Sequence, residues 1–242
     1  MKLRLAGVAL GLVAMIALTD CLHLTGKPAS GPEVPRPDSI LDPVVLFNQN
    51  CAGCHGAEGR KGPAMPLSDP VYLTIVDDNS LRTTISKGRP GTAMSAFAQK
   101  EGGMLTDEQI NAIVRGMRER WGNPNTLAGV AAPPYAAKTG GSAQQGKAVY
   151  TTFCASCHGT GALGGPKAGS VTNGAYLSLV SDQGLRTIVI IGRPDFGAPD
   201  WRGNVPGRTM TDQEITDVVA WLVSQRPTVV QTVSSSASGG VH

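Results

Sequence analysis

A chain of 242 residues with 41% hydrophobic side chains has room for one large domain or two small ones, yet four Phe, four Tyr and three Trp are few for filling two cores. Its 31 Gly and 17 Pro give much of the chain to loops and turns, which a bulky internal cofactor permits by replacing buried side-chain volume. Setting aside Lys2, Arg4 and Asp20 leaves 19 basic and 17 acidic side chains with no Lys/Arg stripe, which argues against nucleic acid as a partner.

Lys2 and Arg4 precede an uncharged apolar run from Leu5 to Leu18, too short to span a bilayer comfortably, so residues 1–21 read as an export signal. The mature chain is then expected in the periplasm or at the outer face of the cytoplasmic membrane. Leu18-Thr19-Asp20-Cys21 resembles a bacterial lipoprotein cleavage box in the apolar residue three before the cysteine, while Asp20 departs from the small residue that such boxes carry. Lipidation at Cys21, a soluble mature chain and an uncleaved anchor stand as alternatives. Residues 22–38, poor in apolar periodicity, read as a disordered tether.

The first module spans 39–121. Asp42-Pro43 supplies an N-cap and a first-turn proline for a helix carrying Val44, Val45 and Phe47. That helix delivers Cys51-Ala52-Gly53-Cys54-His55. Thr83–Lys87 is read as part of a short helix, and Thr106 with Gln109 makes a capping box ahead of Ile110, Ile113, Val114 and Met117 at helical spacing. Residues 122–141, rich in Gly, Ala, Pro and Asn, form a flexible linker.

The second module, 142–226, repeats the first. Ser142 with Gln145 reads as a capping box before Val149, Tyr150 and Phe153, and Cys154-Ala155-Ser156-Cys157-His158 follows. Gly62-Pro63 recurs as Gly165-Pro166, Leu81-Arg82-Thr83 as Leu185-Arg186-Thr187, and Gly88-Arg89-Pro90 as Gly192-Arg193-Pro194. Leu105-Thr106-Asp107 recurs as Met210-Thr211-Asp212, with Glu214 completing the second capping box. Two single-residue insertions account for the drift in offset. Thr187–Ile191 has strand propensity, but its repeat partner has none, so both segments are read as helical. Residues 227–242 read as a disordered tail.

Cys-x-x-Cys-His is the attachment signal for c-type haem: two thiols add to the vinyl groups of one porphyrin edge and the adjacent His reaches the iron. Two copies in aligned repeats point to two covalent haem c groups, through Cys51, Cys54, Cys154 and Cys157, with His55 and His158 as proximal ligands. A thioredoxin-like motif requires a βαβ setting, absent here, and a four-cysteine zinc site leaves the histidines unexplained. Structural disulfides do not require His at both places.

On these residues each module resembles a class I cytochrome c domain, so the fold class expected is all-α, two tandem haem domains. The resemblance extends to an aromatic residue four before the first Cys, here Phe47 and Tyr150, and to a Pro after the His, here Pro63 and Pro166, whose carbonyl region holds the imidazole. It implies a Met sixth ligand from the loop before the last helix: Met94 in the first module, with Met65 and Met104 as competitors. In the second module an ungapped alignment puts Ala198 at that place, leaving Met210 as the one nearby candidate. His23 and His242 fall in the expected tails.

The function implied is electron transfer between protein redox partners at the outer face of the membrane, as a free carrier or the cytochrome subunit of a respiratory or photosynthetic complex, with the N-terminus at the membrane surface and no catalytic residues. The alternative is a haem enzyme or gas sensor using an open sixth position on the second haem.

Overall fold

The structure, a computed structural model, describes residues 31 and 33–227. The export signal, Cys21, His23 and the tail to His242 lie outside the described residues. Two compact units divide the chain after Ser39. Of the first, the described part is a short stretch with one 3-10 turn, Pro37–Ser39, closed by Ser39 Oγ donating to Arg36 O at 2.7 Å.

From Ile40 onward the described residues form ten α-helices and no β-strand. They are α1 (Pro43–Asn50), α2 (Ala52–His55), α3 (Pro70–Ile75), α4 (Asp78–Lys87) and α5 (Asp107–Trp121), then α6 (Ala143–Phe153), α7 (Ala155–His158), α8 (Gly174–Leu179), α9 (Asp182–Ile191) and α10 (Asp212–Ser224). The second five repeat the first five in order and in length to within a few residues. Thr187–Ile191 is helical, as its repeat partner required. None of these helices is long and apolar enough to cross a membrane.

Local chemistry sets the helix starts. The Asp42 carboxylate accepts from Val44 N and Val45 N at 2.8 and 3.0 Å, with Pro43 in the first turn. Thr106/Gln109 and Thr211/Glu214 are complete capping boxes. At α6 the box is half made: Ser142 Oγ accepts from Gln145 N at 3.3 Å, while Ser142 N donates to Asp217 Oδ1 at 2.7 Å. The buried Asp217 carboxylate is the stronger acceptor, so α10 supplies the reciprocal bond that the Gln145 side chain was expected to make.

In each module the first and last helices cross on a glycine, on opposite sides. A Cβ at Gly116 of α5 would stand 2.3 Å from Pro43 Cβ. In the second module the glycine is on the first helix: a Cβ at Gly146 of α6 would stand 2.0 Å from Asp217 O and 2.8 Å from Trp221 Cβ. By the repeat, Pro43 matches Gly146 and Gly116 matches Trp221, so the small partner has changed places.

The linker carries no helix, and its end is anchored to the second module. Buried Arg186 of α9 donates to Pro134 O at 2.9 Å and Tyr135 O at 3.1 Å, reaches Thr216 Oγ1 at 3.0 Å, and pairs with Asp212. Gln183 Nε2 adds a bond to Tyr135 O at 2.8 Å. The modules also meet directly: Lys61 N donates to Asp195 Oδ2 at 2.8 Å, Arg193 Nη2 to Gly62 O at 3.0 Å, and Ala93 N to Leu179 O at 3.3 Å.

Candidate haem sites

Each Cys pair sits where two helices join. Cys51 and Cys154 end α1 and α6, their N–H groups bonded to Phe47 O and Tyr150 O at 2.8 Å, and the following one-turn helix carries the second Cys and the His. The chain then reverses at Gly56 (φ +83°) and Gly159 (φ +79°), where a side chain would collide with Arg60 O and Gly164 O. The aromatic residues before the pairs brace this corner: Phe47 packs edge-on against Trp121 with centroids 5.0 Å apart, and Tyr150 Oη donates to Gly159 O at 2.6 Å.

Both imidazoles are held through Nδ1 by backbone carbonyls, but the acceptors are not at the prolines. His55 Nδ1 donates to Met65 O at 2.8 Å and His158 Nδ1 to Gly169 O at 2.7 Å. In both copies the preceding residue fixes the carbonyl: Ala64 N donates to Cys54 O and Ala168 N to Cys157 O, so the next peptide oxygen turns to the ring. Pro63 stands one residue before that anchor and Pro166 two before it, which locates the first of the two insertions at Lys167 or its neighbour. A carbonyl can only accept, so the proton is on Nδ1 and the Nε2 lone pair is left for a metal. Burial holds the His55 imidazole below its ordinary pKa, with the Met65 carbonyl acting upward and the Arg193 charge downward.

The four cysteines are free thiols. Burial pushes Cys51 up to about 12 and Cys154 up to about 11, with Cys54 and Cys157 adding to the effect. No cluster of three or more His, Cys, Asp or Glu side chains that could hold a metal ion occurs among the described residues.

Cys51, Cys54, His55 and Met94 line a single cavity of about 400 Å³. Met94 reaches it from a loop that closes on itself: Arg89 N donates to Met94 O at 2.8 Å, Met94 N to Thr92 Oγ1 at 3.1 Å, and a Cβ at Gly88 would stand 2.5 Å from Met94 O. Met65 and Met117 also line the cavity, Met65 on the loop that holds His55, whereas Met104 is 77% exposed. Tyr176, Leu179, Val180, Thr187 and Ile188 of the second module contribute to the wall.

In the second module the loop after Gly192 repeats the same closure, with Arg193 N donating to Ala198 O at 3.0 Å, so Ala198 occupies the backbone place of Met94. Met210 is 3% exposed and its N–H bonds Trp201 O, as Leu105 N bonds Phe97 O; its place is the core position of Leu105. The loop from Trp201 to Met210 is one residue longer than its counterpart and holds the second insertion. Reading from sequence missed Arg89, Tyr135 and the inter-module contacts of Arg193, for which the repeated Gly-Arg-Pro was the only signal.

A helical fold built twice around Cys-x-x-Cys-His, with each imidazole Nδ1 bonded to a backbone carbonyl, defines a two-domain c-type cytochrome. The comparisons agree: residues 38–115 match the family described as cytochrome C oxidase, cbb3-type, subunit III, and residues 143–226 match cytochrome c. The chain thus holds two cytochrome c domains in tandem, which imply two covalently bound haem c groups. It is similar to the Cbb3-type cytochrome c oxidase subunit CcoP of Azospirillum sp. (strain B510), 35% identical over 134 residues that make up 51% of this chain and 40% of that one. Subunit FixPc of Rhizobium leguminosarum bv. viciae is 28% identical over 192 residues, 74% of this chain and 60% of the relative. A dihydro-heme d1 dehydrogenase of Pseudomonas aeruginosa is 35% identical over 112 residues, 46% of this chain and 18% of the relative. The chain thus spans 40% and 60% of the length of the two oxidase subunits.

Proposed function

We propose that this protein passes electrons between protein partners as a cytochrome subunit of a membrane-bound respiratory oxidoreductase. Cys51 and Cys54 hold the first haem by thioether bonds and Cys154 and Cys157 the second, with His55 and His158 as proximal ligands. Met94 supplies the sixth ligand of the first haem; bound there, the group provides a one-electron couple whose potential a thioether raises. The observation that carries the reading is the cavity that gathers Cys51, Cys54, His55 and Met94. Its walls are mostly apolar, and His55 is fixed in the tautomer that leaves Nε2 free. Were His55 and Met94 both to hold the iron, the first site would have no place for a substrate. Similarity to oxidase subunits over most of the chain supports a partner in a respiratory complex. An export leader over residues 1–21, either cleaved at a lipidated Cys21 or kept as an anchor, would hold the N-terminus at the outer face of the cytoplasmic membrane.

The test uses the exported, matured protein. Mass spectrometry should find two haem masses that survive acid–acetone extraction, with one lost in Cys51→Ala/Cys54→Ala. The reduced protein should be reoxidised by respiratory membranes in air, in a cyanide-sensitive way. An unmodified polypeptide, or a haem protein that such membranes leave reduced, defeats the reading.

Ala198 favours a second reading for the other haem, since its methyl group cannot bind iron and the loop carrying it is closed like the Met94 loop. The second haem then has an open or water-filled sixth position that takes up a small gas. Carbon monoxide added to the reduced protein should shift the spectrum of one haem of the two; no shift rules this out.

A further inference from the structure

We propose that Arg89 and Tyr135 form a carboxylate-binding pair for a propionate of the first haem, and that the second module presents Tyr135 to it. The inference rests on attachment of that haem at Cys51 and Cys54 with His55 as ligand.

Arg89 is the only Lys, Arg, Asp or Glu side chain among the residues that line the first cavity. Among the described residues its charge has no carboxylate within 4 Å. Among the described residues every other arginine that is not fully exposed reaches a carboxylate within 4 Å: Arg82 and Arg118 meet Asp78, and Arg186, Arg193, Arg202 and Arg226 each have an aspartate. The other arginines without such a partner, Arg36, Arg60 and Arg115, stand exposed in solvent. A half-buried guanidinium on an apolar wall is costly unless an anion faces it, and a haem brings two ionised carboxylates.

The hydrogen bonding on the wall is polarised for that anion. Arg89 Nη2 donates to Tyr135 Oη at 2.7 Å. With its oxygen engaged as acceptor, the phenol has its own O–H to donate, so guanidinium and hydroxyl offer a carboxylate charge-assisted donors from two sides. Tyr72, whose ring centroid lies 6.5 Å from that of Tyr135, lines the same wall.

Tyr135 comes from the linker, and the second module determines where it sits. Its carbonyl is gripped by Gln183 and Arg186 of α9, and Arg186 is 3% exposed and anchored in turn on Asp212 and Thr216. Arg186 and Gln183 are therefore positioning residues for a haem in the other module. Donors on a propionate offset its negative charge and so favour the ferrous state; their loss lowers the potential.

The test is a potentiometric titration of the matured holoprotein with resonance Raman spectra. Tyr135→Phe and Arg89→Gln should each lower one of the two midpoints, the one that Met94→Ala also moves, and leave the other in place. The propionate-bending band should shift in both, with two haems per chain retained by pyridine haemochrome assay. Arg89→Lys should recover part of the midpoint shift, and Arg186→Gln should move the same midpoint in the same direction. Should Arg89→Gln fail to mature, Tyr135→Phe decides alone. Unchanged midpoint and Raman band in Tyr135→Phe, or movement of the other haem, overturns the proposal. A wild-type midpoint that responds to added phosphate instead identifies a free-anion site and overturns it too. Absence of the first haem from the wild type appears separately in the haem assay, and counts against the attachment reading.

Discussion

Replacing Gly146 by alanine puts two effects in opposition. Alanine is the better helix former, by about 1 kcal/mol in a helix interior. Its methyl carbon, however, would stand 2.0 Å from Asp217 O, 2.6 Å from Asp217 C and 2.8 Å from Trp221 Cβ. Ordinary contacts begin at about 3.5 Å, so α6 and α10 must separate by about 1 Å or more. Two of the three obstructing atoms are backbone, and no rotamer change relieves them. Overpacking of this kind costs about 3 kcal/mol at the upper end of its usual range, and the net loss is then about 2 kcal/mol. For a domain of this size that lowers the melting temperature by roughly 10 °C. Thermal unfolding of the matured protein, followed by far-ultraviolet circular dichroism, measures it. Gly53→Ala is the control, because nothing lies within 4 Å of its Cβ position and the second module has Ser156 there. If Gly146→Ala melts at or above the wild-type temperature while Gly53→Ala behaves as expected, helix propensity outweighs packing and the glycine crossing does not hold the module together.

Arg186→Gln removes one partner of a buried ion pair and releases Pro134 O and Tyr135 O, so it should cost about 3 kcal/mol in urea unfolding and open the linker to limited proteolysis; an unchanged urea midpoint contradicts the anchoring role. Met94→Ala should abolish the Met-to-iron charge-transfer band, and Ala198→Met should add one equivalent of it. A band that disappears instead in Met210→Leu would make Met210 a ligand. If Cys21 bears lipid, Cys21→Ser should move the protein from the detergent phase to the aqueous phase, while unchanged partitioning favours an uncleaved helix.

Much of the fold was legible because short-range chemistry governs it. Threonine and a side-chain acceptor three residues on are enough to start α5 and α10, and alignment of the two copies corrected the strand propensity of Thr187–Ile191. The site was legible to the same extent: Cys51, Cys54 and His55 are tied by spacing, and the repeated Gly-Arg-Pro marked the loop that brings Met94 to them. What escaped depends on contacts between distant segments or on backbone atoms. The acceptors for His55 and His158 are peptide oxygens, which any residue carries, so Met65 and Gly169 have no signature. Ser142 lost half of its capping box to Asp217, some seventy residues away. Tyr135 sits in a stretch whose composition reads as linker, and its bonds with Arg186, Gln183 and Arg89 show that it is anchored. Arg82 and Arg186 are the same residue in the repeat, yet the first is a partly exposed partner of Asn111 and Asp78 and the second is buried under the linker.

The exchanged glycines at the helix crossings also bear on how a duplicated chain folds. Four terminal helices of related sequence emerge in one polypeptide, and a first helix from one copy has two last helices to choose from. If α1 paired with α10, Pro43 would meet Trp221, bulk against bulk. Were α6 to pair with α5, Gly146 would face Gly116 and leave a gap. Each correct pair instead joins one small residue to one large residue, Pro43 with Gly116 and Gly146 with Trp221. Both mismatched pairings are thus penalised, one by collision and one by lost contact, and the partners of the duplication are kept apart while the haems are being attached.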